Sequence, residues 1–425
     1  MQMSQLPAEF ITATRRTMGE ERFERYCRSF EEEAPVSIRL NPLKPAGLPV
    51  GGEQVAWCAD GFYLSARPNF TLDPLFHAGC YYVQEASSMF IGHVLQQYLP
   101  QHPVKALDLC AAPGGKSTLM RAMLPAGSGL CSNEPVRNRA QILAENMLKW
   151  GYDNCIVTNA MPHDYRRAKL TFDVILCDVP CSGEGMFRKD AATMAEWSPQ
   201  NVERCAALQR SIVADAWSCL SEGGLLIYST CTLNTKENEE NIRHFTETLG
   251  AEVLPVDTCQ QWGITASLLK GFHMPVYRFI PGFTRGEGLF VCALRKGNSG
   301  EQNQKKQKRS HYDIVSTALR DKIIGGKTVD ENGQPTIAAA LRTSTDHSRF
   351  ASVELGYEQA IQYLRREAIT LPEGTPRGIV LVTFMNQPLG FAKNIGTRAN
   401  NLYPKEWKIK TTHITKHYEA ILRRA

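Results

Sequence analysis

No stretch of the chain stays apolar for the roughly 18–20 residues that a membrane-spanning helix requires, so the sequence predicts no contact with a bilayer. The first residues, Met1-Gln2-Met3-Ser4-Gln5-Leu6-Pro7, have neither a basic start nor an apolar core. The expectation is therefore a cytoplasmic protein without a secretion signal. Thirteen cysteines are present, yet none forms a Cys-x-x-Cys pair, and no metal site is expected. In a reducing compartment most of these thiols should be small buried hydrophobes. There is no internal repeat. Nothing in the sequence speaks to oligomeric state, and a monomer is the simplest expectation.

What is present suits a soluble protein of more than one domain: 425 residues, 43% hydrophobic and 21% charged. The net charge of +5 is unevenly spread. Residues 301–425 hold 20 lysines and arginines against 12 acids, a balance of +8, which leaves −3 for the first 300 residues. A basic C-terminal third suggests a module for a polyanion, although a well-solvated surface would have the same composition.

Four regions separate. Residues 1–75 read as a helix from Pro7 to Phe30 followed by extended pieces around Val36-Ser37-Ile38-Arg39-Leu40. Residues 76–296 alternate apolar strands with helices, the pattern of an α/β Rossmann-like sheet. Its strands are expected at Ala106–Leu109, Leu130–Asn133, Cys155–Thr158, Val174–Cys177, Leu225–Ser229 and Leu289–Leu294. Helices are expected at Glu134–Trp150 and Val202–Leu220. Residues 297–311 have almost no apolar side chain and read as a linker, and 312–425 as a smaller β-rich unit.

The first chemical signal is Leu107-Asp108-Leu109-Cys110-Ala111-Ala112-Pro113-Gly114-Gly115-Lys116-Ser117, a strand entering a glycine turn and then a helix. Glycine lets the backbone approach a ligand closely, and the helix N-terminus offers free N–H groups. Glu134, at the end of the next strand, can accept both hydroxyls of a ribose. These features suit S-adenosylmethionine as well as a dinucleotide. A phosphate-binding P-loop is the competing reading, but it needs glycine at position 110, where Cys110 stands.

Two further strands end in cysteine: Val174-Ile175-Leu176-Cys177-Asp178-Val179-Pro180-Cys181, and Leu225-Leu226-Ile227-Tyr228-Ser229-Thr230-Cys231. Ligands of open parallel sheets bind outside the carboxyl ends of the strands, so Asp178, Cys181 and Cys231 should meet near the glycine turn. A thiol there has a use. Cytosine C5 is a poor nucleophile until a thiolate adds at C6 and makes it enamine-like. A carboxyl group bonded to N3, with Asp178 the candidate, would favour that addition. Spacing alone permits either cysteine to be the nucleophile.

Asp108 to Lys116, Pro180-Cys181-Ser182-Gly183-Glu184-Gly185 and Ser229-Thr230-Cys231-Thr232 together resemble the NOL1/NOP2/Sun family of RNA cytosine-5 methyltransferases. Tyr81-Tyr82-Val83-Gln84-Glu85-Ala86-Ser87-Ser88-Met89 and Gly286-Glu287-Gly288-Leu289-Phe290-Val291 fit the same family. The resemblance covers about residues 35–296. It implies that Cys231 attacks C6, that Cys181 assists product release, and that Asp178 lies beside cofactor and base. It implies S-adenosylmethionine contacts at Cys110, Ala111, Ala112, Pro113, Gly114, Gly115, Lys116, Glu134 and Asp178. The chain departs from the family at Val179, where alanine is usual. It departs again at Asn159, where many members place an acid against the adenine end. Asn159 would have to serve there through its amide.

Gln387-Pro388-Leu389-Gly390-Phe391-Ala392-Lys393 and Arg398-Ala399-Asn400-Asn401-Leu402-Tyr403-Pro404-Lys405-Glu406-Trp407 resemble the C-terminal extension of a bacterial branch of that family. That branch appends a PUA-like RNA-binding domain and modifies 16S rRNA. Arg398, Lys405, Lys408 and Lys410, interleaved with Tyr403 and Trp407, suit phosphate contacts with base stacking, although Trp407 could equally be core. A tRNA substrate, or a ribosome-assembly factor that has lost its chemistry, would fit the same fold.

Overall fold

A computed structural model describes residues 6–297, 317–396, 398–411, 413–414 and 417–423. The expected linker lies, apart from Gly297, outside the described residues.

A nine-stranded sheet forms the centre. Five strands run parallel in the spatial order Leu220–Thr230, Phe172–Asp178, Lys105–Asp108, Gly129–Asn133 and Cys155–Thr158. Leu289–Lys296 joins the Leu220 edge antiparallel, and Ile323–Ile324 joins the Cys155 edge antiparallel. The sheet is covered on both faces, so its strands are apolar throughout rather than alternating. Ala106, Val174, Leu176, Leu225 and Ile227 enter one core layer, while Leu107, Ile175, Cys177, Leu226 and Tyr228 enter the other. Each fully buried aliphatic side chain among them contributes about 1.5–3 kcal/mol. The α/β expectation and all six expected strands are present, Cys155–Thr158 with the expected bounds and the other five lengthened or shifted at their ends.

Lys105–Asp108 has Gly129–Asn133 on one side and Phe172–Asp178 on the other. The chain therefore reverses its winding direction at this strand, which opens a crevice at its carboxyl end. The glycine turn and both cysteine loops leave from that edge.

The single helix expected over Pro7–Phe30 is two helices, Ala8–Met18 and Glu20–Arg28. Gly19 between them has φ +79° and ψ 163°, which no helix accommodates, and its N–H closes the first helix on the Arg15 carbonyl. The helix expected from Glu134 begins only at Arg137, because Glu134 and Pro135 belong to the turn that leaves the strand.

The flanking regions are not separate bodies. The N-terminal sheet (Glu53–Gln54, Gly61–Leu64, Val36–Leu40 and Tyr81–Val83) takes its last strand from beyond residue 75. The C-terminal sheet consists of Ala351–Glu354, Gly378–Phe384, Gln387–Asn394 and Ala399–Asn401. Ile38, Leu75 and Tyr81 of the first unit share one hydrophobic core with Val380, Val382 and Leu389 of the second. The Asp73 carboxylate accepts a hydrogen bond from Tyr81 within its own unit (2.7 Å) and one from Tyr418 across the junction (3.1 Å).

Candidate active site

Strand register brings the cysteines together. Asp178 lies opposite Ser229 in the parallel pair, and Ser229 Oγ donates to Asp178 Oδ1 at 2.7 Å. From these positions the two chains continue side by side. Val179 N donates to Ser229 O (3.1 Å), and Ser182 Oγ meets Thr232 Oγ1 at 2.9 Å. Between them the sulfurs of Cys181 and Cys231 stand 3.2 Å apart.

The loops are held by carboxylates that sequence reasoning passed over. Glu184, 2% exposed, accepts from Leu233 N and Asn234 N at 2.8 Å and from Trp197 Nε1 at 2.9 Å. Glu237, fully buried, accepts from Ser182 N (3.0 Å), Gln209 Nε2 (2.7 Å) and Asn234 Nδ2 (2.8 Å). Behind them Arg278 and Glu239 form an ion pair with both side chains wholly buried. Arg278 Nη1 also donates to Leu233 O at 2.7 Å. Glu184 lies inside a motif that the sequence displays. Glu237, Glu239 and Arg278 carry no local signal.

Lys116 opens the helix Gly115–Met123, and its Nζ donates to Asp178 Oδ2 at 2.8 Å. Both Asp178 oxygens are thus engaged, one by a hydroxyl and one by a cation. Burial pulls the Lys116 amine down, but the Asp178 carboxylate outweighs it and keeps the amine above its ordinary range. The hydrogen bond with Cys181 holds the Cys231 thiol below its ordinary value, against burial and Asp178, and Lys116 acts in the same direction. That same bond, together with burial, pushes Cys181 well up. The pair is asymmetric.

In the glycine turn Gly114 has φ +116°, which favours glycine, and the Ala112–Pro113 peptide is cis. Beneath it burial pushes the Asp108 carboxyl up to about 7, and Ser117 Oγ donates to it at 2.6 Å. Burial likewise raises Cys110, so its thiol stays neutral. Ala111 N donates to Asn133 O (2.8 Å), tying the turn to the strand that delivers Glu134. Glu134 Oε1 accepts from Val136 N, and its Oε2 lies 3.5 Å from Arg139, which also donates to Ala112 O. Asn159 spends both amide N–H groups on the Glu134 and Pro135 carbonyls at 2.8 Å. It braces that turn and keeps only its amide oxygen for a ligand. Arg39 braces the turn from the other side, through Gln84 and Thr118 at 2.7 Å.

In the C-terminal unit Arg398, Lys405, Lys408 and Lys410 are exposed as expected. Arg398, Lys405 and Lys408 line a groove of about 480 Å³ with Arg365 and Arg366. The expected stacking role of Tyr403 is not supported. Its ring is 1% exposed, edge-on to Tyr363 at 5.5 Å, because it fills the shared core. Trp407 packs on the same core beneath Lys149.

Among the described residues no helix is long and apolar enough to cross a membrane. A family model for the 16S rRNA methyltransferase RsmB/F matches residues 96–295. Models for the N-terminal domain of 16S rRNA methyltransferase RsmF and for the methyltransferase RsmF PUA domain match residues 6–86 and 350–409. The ribosomal RNA small subunit methyltransferase F of Salmonella agona is 30% identical over 94% of this chain and 96% of its own. A methyltransferase homologue from Pyrococcus horikoshii superposes with a TM-score of 0.58 at 26% identity, covering 70% of this chain and 100% of the other. NSun6 from the same organism, solved with SFG, shares the fold at 20% identity and a TM-score of 0.57, over 69% of this chain and 98% of its own. With matches from end to end and the methyltransferase sheet intact, this chain belongs to the ribosomal RNA small subunit methyltransferase F family.

Proposed function

We propose that the protein methylates C5 of a cytosine in 16S rRNA, taking the methyl group from S-adenosylmethionine, through a covalent bond between Cys231 and C6. The asymmetric cysteine pair beside Lys116 and Asp178, at the switch point of the sheet, carries this reading. The name of the Salmonella relative and the matched PUA model support the ribosomal substrate.

The residues at the crevice fit the cofactor. The turn 110–116 and the neighbouring Glu134 and Asn159 face one strand edge, with the Glu134 carboxylate suited to a ribose diol. When bound, S-adenosylmethionine supplies an electrophilic methyl group. The chain's own residues do the rest. Cys231, kept toward the thiolate by the Cys181 hydrogen bond and Lys116, adds to C6 of an extruded cytosine. Lys116 and Asp178, locked together, present a proton donor and acceptor to the polar edge of the ring as charge develops there. Once C5 carries the methyl group, its proton leaves to solvent, the C6–sulfur bond breaks, and Cys231 departs as thiolate. Cys181, 3.2 Å away, hydrogen-bonds the departing sulfur and so assists release. Residues 1–75 and 312–425 flank the catalytic unit 76–296 as RNA-facing modules. The reading takes the enzyme to act in the cytoplasm, where ribosomes are, and as a monomer.

Bisulfite sequencing of rRNA from cells with and without the gene tests the substrate. At least one 16S cytosine should lose protection in the deletion strain, and an unchanged 16S map would refute the assignment.

A further inference from the structure

The cysteine loop continues into a charged cluster that the proposed chemistry leaves unused. Arg188, seven residues past Cys181, has a side chain only 6% exposed, and that of Glu287 is 2% exposed. Arg188 Nε lies 3.5 Å from Glu287 Oε2 without forming a hydrogen bond to it. Arg188 Nε and Nη2 and both Glu287 carboxylate oxygens are buried without hydrogen-bond partners. Unpaired buried donors on a guanidinium are costly, and Arg has no other use for them.

The Glu287 backbone is fixed beside Arg188. Its N–H donates to Glu85 Oε1 (2.9 Å), and its carbonyl accepts from Ser87 Oγ (3.0 Å). Arg188 lines a cavity of about 910 Å³. Arg67, Lys189 and Arg285 line the same cavity, against the acids Glu32 and Glu33. Arg285 is held by Glu53, and Lys189 Nζ lies 3.8 Å from Glu287 Oε1.

The segments that line this cavity continue into the loops that carry the cysteine pair. Gly185 N donates to Cys231 O at 2.9 Å, and Gly288 N bonds to Gly185 O at 3.4 Å. A side chain on Gly185 would come within 2.5 Å of Gly288 O, so the two segments touch with nothing between them. An extruded nucleotide needs its flanking phosphates held while the base occupies the pocket. The guanidinium fork matches a tetrahedral oxyanion, whose oxygens would supply the missing acceptors.

We propose that Arg188, with Arg67 and Lys189 at the rim, seats a phosphodiester of the substrate RNA strand next to the target cytosine. Glu287 holds Arg188 in place as its counter-charge. This inference rests on the RNA-methylating role proposed above and adds the residues that grip the strand.

The test compares the full-length chain with Arg188→Ala, with the charge-neutral pair Arg188→Ala/Glu287→Gln, and with Arg67→Ala on the exposed rim. RNA dissociation constants are measured across a salt series, alongside S-adenosylmethionine affinity and melting temperature. Losing one phosphate contact should lower the log–log salt slope by about 0.7–0.9 in both Arg188 variants. It should also weaken RNA binding about tenfold while cofactor affinity stays the same. Arg67→Ala, whose fold is not at risk, should show a smaller change of the same sign. An unchanged salt slope in the neutral double variant and in Arg67→Ala would overturn the seat. So would protection by inorganic phosphate, lost with Arg188, when the RNA slope does not move, because the site then takes a free anion. If the unaltered chain binds RNA with the expected slope but transfers no methyl group, the proposed function fails and the seat stands.

Discussion

The Cys181 and Cys231 sulfurs approach to 3.2 Å, and one hydrogen bond between them pushes their acidities in opposite directions. The spacing of the two motifs allows either residue to attack. The hydrogen bond to Cys181, with a smaller pull from Lys116 set against burial and Asp178, favours Cys231 as the attacking thiol and Cys181 as the protonated partner in the proposed mechanism.

The asymmetry predicts an acidity that labelling can read. A depressed thiol is ionised at lower pH, so Cys231 should react with iodoacetamide at pH values where an ordinary cysteine is still protonated. Cys181→Ala or Lys116→Met should move its labelling profile to higher pH. Mass spectrometry of the Cys231 peptide across pH 5–10 checks this. A Cys231 profile at or above that of exposed Cys259 would contradict it.

Removing the release group should trap the intermediate. Cys181→Ser is expected to turn over slowly and to accumulate a protein–RNA adduct that survives denaturing electrophoresis. Adding Cys231→Ala should abolish the band. A Cys181→Ser enzyme with normal turnover and no adduct would remove the assigned role.

The Lys116–Asp178 pair should matter to the rate more than to the fold. Asp178→Asn keeps the Ser229 hydrogen bond but loses the carboxylate that anchors Lys116. We expect kcat to fall by about 10²–10⁴-fold, the usual range for a misplaced acid–base group, with an unchanged melting temperature. A loss of stability with kcat intact would make the pair structural.

By contrast, Arg278 and Glu239 should matter to stability. Both are wholly buried, so Glu239→Ala leaves an uncompensated guanidinium and should cost about 3–5 kcal/mol in denaturant unfolding. A loss below 1 kcal/mol would mean that the pair is not fixing the loop after Cys231.

Much of this was legible beforehand. The central strands announce themselves as apolar runs because both sheet faces are covered, and Asp178, Cys181 and Cys231 follow from their ends. What the sequence hides is long-range satisfaction of buried polar groups. Glu237 looks like any helix-entry acid until Ser182 and Gln209 fold over it. Tyr403 reads as a stacking platform because its neighbours are basic. Only the core shared by the two flanking units shows that its ring is interior. Gly19 was visible, but its positive φ, and so the break between the first two helices, was not.

The central claim is that Cys231 makes the bond to the base. The most direct test incubates wild-type protein and Cys231→Ala with S-adenosylmethionine and unmodified 16S rRNA or small subunits, then maps methylcytosine by bisulfite sequencing. The account predicts one or more protected cytosines with the wild type and none with Cys231→Ala, while cofactor binding is retained. Protection at the same positions by Cys231→Ala would contradict it.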